Sequence, residues 1–248
     1  MPYRKTQFVN DGIYHIVMRR IGDKSLFLGK DDYYRGIFSL YEFNNAKAVE
    51  ISKRRRDRII EKKRLAKIGG DRVSAKLKLS IDGREKLIDI LAFTLMPNHM
   101  HILVRQLKEG GITKFVNKVG AGYPAYFRKK HKIKEKGYFF QSRFVSVPIK
   151  TDEQLITTFV YIHTNPVSLI ESGWKEGKVK NKIKAIKFLE DYRWSSYQDY
   201  LGKKNFSSVT ERDFLTEMIG GEKNIKALIK EWISHKKDIK IMEETVLE

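Results

Sequence analysis

The stretch LMPNHMHILVR, residues 95–105, decides the fold, because a tight turn inside it joins two strand-like segments. Residues 86–95 and 99–105 are rich in β-branched and apolar side chains, and the Met-Pro-Asn sequence between them favours a turn. On a strand, residues i and i+2 point to the same face, so His99 and His101 share one face and the alternate apolar residues take the other. Two neighbouring imidazoles form a natural pair of metal ligands, although an H-x-H pair alone is a weak signal.

The pattern on either side of this hairpin supplies two more strands and three helices. The strands are predicted at 12–20 and 138–149, and the helices at 31–48, 112–131 and 151–165. Gly120, Gly122 and Pro124 are expected to interrupt the second of these helices. The order β-α-β-β-α-β-α predicts an α+β fold, namely a ferredoxin-like βαββαβ antiparallel sheet with one added helix.

Charge and composition divide the chain further. We expect a catalytic domain at 1–170, a basic insert at about 49–84 within it, and a lysine-rich helical accessory region at 171–248.

Lys and Arg number 50 against 30 Asp and Glu, which gives a net charge of +20 and predicts a polyanionic partner such as nucleic acid. The absence of cysteine excludes disulfides, a cysteine nucleophile and a Cys-ligated zinc site. No apolar run approaches the ~18 residues of a membrane span, so we expect a cytoplasmic protein that associates with the nucleoid.

The third helix carries a second candidate group of functional residues. Thr151 followed by Gln154 forms a capping box at its start, and Pro166 predicts its end near Asn165. At 100° per residue His163 falls within the apolar stripe, which favours a core role for it. Tyr161 and Asn165 fall on the other face, one turn apart, so they are neighbours on the helix surface.

These motifs together resemble a known family. LMPNHMHILVR, FFQSRF, YIHTNPV and DYRWSSYQDYLG occur in that order, and with the opening GIYHIVMRR they are similar to the IS200-like, REP-associated branch of single-tyrosine HUH transposases. The resemblance implies an HUH core in which His99, His101 and Asn165 bind a divalent metal ion, Mg²⁺ or Mn²⁺. It also implies that Tyr161 is the nucleophile, that DNA is cleaved and rejoined through a 5′-phosphotyrosine, and that the partner is single-stranded or hairpin DNA. Where the family often has an arginine, this chain has Ser168.

The basic residues nearest these motifs are the candidate contacts to the DNA backbone. Arg143 is the preferred one because it lies between aromatic strand residues, and the others are Arg54, Arg55, Arg56, Arg128, Lys129 and Lys130. Tyr123 and Tyr126 lie in a basic segment and are alternative nucleophiles, or residues that stack on unpaired bases.

Other functions stay open at this point. A basic ferredoxin-like sheet is also typical of a non-catalytic DNA- or RNA-binding protein, which would leave the histidines and Tyr161 without a role. A metal phosphoesterase that activates water would need more acidic ligands than these motifs contain. The patterns do not distinguish a monomer from a homodimer.

Overall fold

The computed structural model describes residues 7–51, 56–57, 59–60, 63–64, 82–134, 137–141, 144–174 and 176–235. Most of the predicted basic insert therefore lies outside the described residues. The strands are β1 (Ile13–Arg19), β2 (Ile88–Leu95), β3 (His99–Gln106) and β4 (Val145–Ile149). The helices are α1 (Lys30–Phe43), α2 (Gly111–Lys130), α3 (Asp152–Thr164), α4 (Lys182–Asp191), α5 (Tyr197–Tyr200), α6 (Asp213–Ile219) and α7 (Glu222–His235).

The four strands form one antiparallel sheet in the order β2-β3-β1-β4. With α1 between β1 and β2, and α2 between β3 and β4, this is the predicted ferredoxin-like α+β arrangement. Each turn and crossover places the strands so that β3 and β1 occupy the centre of the sheet. The predicted fold class is confirmed.

The two faces of the sheet are covered by different helices. One face, which includes Tyr14, Ile16 and Ile102, packs against α1 and α2, and we call it the α1–α2 face. The other face includes Leu103 and packs against α3 and the C-terminal helices, and we call it the α3 face. The central strands are therefore buried on both faces. The alternation of histidines and apolar residues along β3 had indicated that only the apolar face is buried.

Three predicted elements differ in extent from the observed ones. The first helix ends at Phe43 rather than at 48, because the Asn44 side chain bonds to the backbone of β2: its Oδ1 accepts from Leu87 and Ile88 at 3.0 and 3.1 Å. The second helix is continuous across Gly120, Gly122 and Pro124, so the predicted interruption is wrong. Gly122 is placed there by packing, since a Cβ on it would lie 2.1 Å from Phe43 Cζ.

The last predicted strand, 138–149, is shortened to β4 at Val145–Ile149. Before it, residues 139–141 make a separate antiparallel contact with the end of β1, in which Gln141 N donates to Arg19 O at 2.9 Å and Ile21 N donates to Phe139 O at 3.1 Å. This segment extends the sheet beyond β4 at the end where β3 begins.

Candidate active site

The histidine pair lies at the start of β3, on the α3 face. The antiparallel register places Arg19 opposite His99 and Val17 opposite His101 on β1. His99 is 9% exposed and His101 is fully buried, so the pair sits in a recess beneath α3 rather than on an open surface. The two Nε2 atoms are 2.9 Å apart.

A hydrogen bond fixes the position of the proton on His99, and a second one orients His101. Asn98 Oδ1, which can only accept, lies 2.6 Å from His99 Nδ1, so that nitrogen donates and carries the proton. His101 Nδ1 lies 2.9 Å from Nε2 of His15, a buried residue of β1. When His101 Nδ1 donates to His15, both Nε2 atoms of the pair present lone pairs toward each other. A cation bound between the two Nε2 atoms would accept both lone pairs and remove their repulsion.

Burial keeps the imidazoles of His15 and His101 neutral. Desolvation by burial, together with the nearby His99, lowers the pKa of His15 to about 3. Desolvation, together with His15, His99 and Arg19, holds the pKa of His101 well below its usual value. A neutral imidazole is the form that binds a metal ion.

Helix α3 brings the other two candidate residues to the histidines. Thr151 Oγ1 accepts from Gln154 N at 3.2 Å, as the capping-box pattern predicts, while the Gln154 side chain accepts from Lys150 N. At the other end Asn165 Nδ2 lies 3.0 Å from His101 Nε2. The Tyr161 ring is half-buried and contacts His101 and His15 edge-on, with centroids 5.5 and 6.1 Å away.

Two contacts hold the active-site end of α3. Thr94 Oγ1, on β2, donates to Ile162 O at 2.8 Å, which ties the helix to the sheet. Ser168, the residue that departs from the family pattern, donates its hydroxyl to Asn165 O at 2.8 Å within the 3₁₀ helix Asn165–Leu169. Hydrogen bonds therefore hold the end of α3 that carries Tyr161 and Asn165 in place against the sheet.

The donor set fits a divalent cation that is shared with a substrate. Ligands bound at about 2.1 Å with angles near 90–110° lie about 3.0–3.4 Å apart, which is close to the observed spacing of the two Nε2 atoms. The Asn165 amide carries an oxygen and a nitrogen at equal reach, so a half-turn presents Oδ1 to a cation. In the described part of the chain, no group of three or more His, Asp or Glu side chains is arranged to hold a metal ion. A cation here thus depends on two imidazoles, one amide and oxygens from outside the protein.

The structure places the alternative tyrosines away from this site. Tyr123 is fully buried in the core of the α1–α2 face, where its hydroxyl donates to Leu26 O at 2.7 Å and burial raises its pKa. Tyr126 is half-buried on the same helix and donates to Asp32 Oδ1 at 3.2 Å, and burial raises its pKa as well. Neither shares a face of the sheet with His99 and His101, so the structure does not favour either as the nucleophile.

Four of the seven candidate DNA contacts lie in the part of the chain that the structure describes. Arg54, Arg55 and Arg143 lie outside the described residues, whereas Arg56 and Lys129 are exposed. Arg128 donates to Gly137 O at 2.6 Å, and Lys130 pairs with Asp32 at 3.0 Å. The last two therefore already have partners within the protein.

The sequence interpretation missed His15, whose contact with His101 depends on the register of β1 against β3. The only local signal was a histidine in an otherwise apolar strand, GIYHIVMRR. His163, in contrast, is buried as predicted, and its Nε2 lies 2.8 Å from Ser196 Oγ, among aromatic rings.

Comparisons with known proteins agree with the motifs. The family model described as "Transposase IS200 like" matches residues 51–165, a range that includes both histidines, Tyr161 and Asn165. This part of the chain is therefore similar to the IS200-like transposases, as the motifs predicted, and the match supports a transposase role. No curated protein matches the chain.

One similar solved structure is described as "Structure of the REP associates tyrosine transposase bound to a REP hairpin". It is 14% identical, has a TM-score of 0.44, and the alignment covers 86% of this chain and 93% of that one.

None of the helices in the described part of the chain has the length and apolar character that a bilayer crossing demands.

Proposed function

We propose that this chain is a metal-dependent single-stranded DNA transposase that cleaves and rejoins DNA through a 5′-phosphotyrosine, and that it recognises hairpin DNA. The observation that carries the proposal is the pair of Nε2 atoms 2.9 Å apart, with Asn165 at 3.0 Å and the Tyr161 ring against His101. Recognition of a hairpin rests on the resemblance of the motifs to the family.

His99, His101 and Asn165 would hold the cation, Mg²⁺ or Mn²⁺, and its ligands leave room for phosphate oxygens. When bound, the cation supplies positive charge that stabilises the charge developing on the scissile phosphate. Asn98 accepts the Nδ1 proton of His99, and with His15 as the acceptor of the Nδ1 proton of His101 both ligand nitrogens would stay unprotonated.

Tyr161 attacks the phosphorus through its phenolate oxygen after losing its proton. A P–O bond to Tyr161 forms as the bond between phosphorus and the 3′ oxygen breaks, and that oxygen takes up a proton to become a 3′ hydroxyl. The downstream 5′ end stays on the protein. A second 3′ hydroxyl can then displace Tyr161 and rejoin the strand, so no external energy source is required.

The test uses the full-length chain with single-stranded and hairpin oligonucleotides labelled at the 5′ or the 3′ end, in Mg²⁺, Mn²⁺ or EDTA. Denaturing gels should show a metal-dependent covalent adduct on the downstream fragment. Tyr161→Phe should lose it, whereas the matched variants Tyr123→Phe and Tyr126→Phe should keep it. An adduct that survives Tyr161→Phe contradicts the proposal, and tight binding without any adduct favours a non-catalytic nucleic-acid-binding protein.

A further inference from the structure

A cleft of about 420 Å³ lies between α2 and the segment that precedes β4. This volume falls within the roughly 300–1,000 Å³ of small-ligand sites in proteins. The residues that define its chemistry are Arg19, Asn117, Tyr138, Phe140, Gln141 and Phe144. Apart from Arg19, which lies opposite His99, they take no part in the active site.

The walls of the cleft combine aromatic rings with amides. Tyr138 is 79% exposed, so its ring contributes little to the core and is available for a ligand. Asn117 and Gln141 are exposed, and neither side chain has a hydrogen-bond partner among the described residues. Rings that stack and amides that pair with donor and acceptor edges are the groups that recognise nucleobases.

Arg19, at the end of β1, lines the cleft, whose α2 wall is on the α1–α2 face, and also adjoins the active site on the α3 face. Its register partner on β3 is His99, which places the two Cα atoms about 5 Å apart. Its carbonyl accepts from Gln141 N, so the wall of the cleft is fixed to the same residue. The Arg19 guanidinium makes no ion pair with an acidic residue in the described ranges, which leaves its charge for an anion.

We propose that this cleft binds an unpaired nucleobase of the DNA strand, which passes around the end of the sheet from the phosphate at the histidine pair. Tyr138 stacks on the base, Asn117 and Gln141 contact its edge, and Arg19 contacts the adjoining phosphate. The inference rests on the proposed function for the course of the strand. The cleft would then contribute to the choice of cleavage sequence, because stacking tolerates every base whereas the amides distinguish their edges.

The first test measures binding in EDTA by fluorescence anisotropy, with short dA, dC, dG and dT oligonucleotides and an abasic oligonucleotide of equal length. The wild-type chain should bind the best homopolymer about 5- to 100-fold more tightly than the abasic strand. Tyr138→Ala should remove most of this difference, and Asn117→Ala should change the order of preference among the bases. Tyr34→Ala is the matched control, since Tyr34 is a 43% exposed tyrosine outside the cleft, and it should leave the difference intact.

The second test locates the base directly. Oligonucleotides that carry one 5-iododeoxyuridine at successive positions are irradiated with the full-length chain, and the adduct is mapped by mass spectrometry. We expect the adduct on Tyr138, Phe140 or Phe144. Equal binding of abasic and base-bearing strands, an unaffected Tyr138→Ala variant, or adducts elsewhere would each overturn the proposal.

These tests separate the cleft from the chemistry. Neither assay needs cleavage. Loss of the covalent adduct with base-dependent binding retained refutes only the proposed function, whereas an intact adduct with base-independent binding refutes only the cleft.

Discussion

His15 Nε2 lies 2.9 Å from His101 Nδ1, in a contact that joins β1 to β3, and the Tyr161 ring lies edge-on to both imidazoles. This hydrogen bond orients His101, and when His15 is the acceptor the proton of His101 lies on Nδ1 and leaves Nε2 free for a cation. His15 thus acts on the candidate metal site through another residue.

Replacing His15 should weaken metal binding. We expect His15→Ala to lower the affinity for Mn²⁺ by about 10- to 100-fold, the usual cost of removing the partner of a ligating histidine. Isothermal titration calorimetry measures the affinity, and circular dichroism checks the fold. His163→Gln, at a buried histidine away from this site, is the control and should leave Mn²⁺ binding unchanged. Unchanged affinity in a folded His15→Ala variant would show that His15 does not position His101.

His163 should make the protein less stable in mild acid. Burial lowers the pKa of His163 to about 3, although a hydrogen bond to the Phe159 backbone acts to raise it. The unfolded chain therefore takes up a proton near pH 6.5 that the folded chain excludes. The contribution of neutral His163 to the free energy of unfolding is therefore complete above about pH 6.5, and it is lost as the pH falls toward 3. Its neighbours Tyr197 and Tyr200 remain neutral across this range because burial raises their pKa values.

His163→Gln should flatten this dependence by up to about 1.4 kcal/mol per pH unit between pH 6 and 5. Urea unfolding at several pH values gives the slope. Ser196→Ala, which removes the hydrogen bond to His163 but not the titrating group, should lower stability equally at every pH. Parallel slopes for the wild type and His163→Gln would refute the assignment.

The two central glycines of α2 should respond oppositely to alanine. A Cβ at Gly122 would meet the Phe43 ring at 2.1 Å, so Gly122→Ala should destabilise the fold by about 2 kcal/mol. A Cβ at Gly120 meets nothing within 4 Å, so Gly120→Ala should stabilise it by about 0.5–1 kcal/mol through helix propensity. Urea unfolding of both variants checks the pair, and the same sign for both would contradict the packing argument.

Asp32 should contribute to the free energy of unfolding, although it lies among charged residues in the first turn of α1. Its carboxylate is fully buried and accepts from Leu28 N at 2.9 Å, from Lys130 at 3.0 Å and from His131 at 3.0 Å. Burial alone would raise its pKa, but these hydrogen bonds outweigh it and lower the pKa.

Asp32→Ala should therefore cost about 3 kcal/mol, since it leaves buried donors without their acceptor. Asp31→Ala, at the adjacent and 80% exposed carboxylate, should cost less than about 0.5 kcal/mol. Equal effects in thermal or urea unfolding would show that the Asp32 contacts add no stability.

The sequence predicts the parts of this site that depend on local geometry. The two-residue repeat of a strand places His99 and His101 on one face, and the 3.6-residue repeat of a helix places Tyr161 beside Asn165. His15 escapes such reasoning because its partner is 86 residues away, and only the pairing register brings them together. Tyr123 illustrates the opposite error: flanking glycine and proline favoured an interrupted, accessible segment, yet packing against α1 keeps the helix intact and the ring buried.

The attachment of α3 to its own sheet has a genetic consequence. Because Thr94 bonds to Ile162, the fold places the Tyr161 ring against His101 of its own chain, and we expect the two residues to act in cis. Two different inactive chains, such as Tyr161→Phe and His101→Ala, should then fail to complement each other when mixed. In cells that express intact and defective copies together, strand cleavage should rise in simple proportion to the intact copies, with no dominant inhibition from this site.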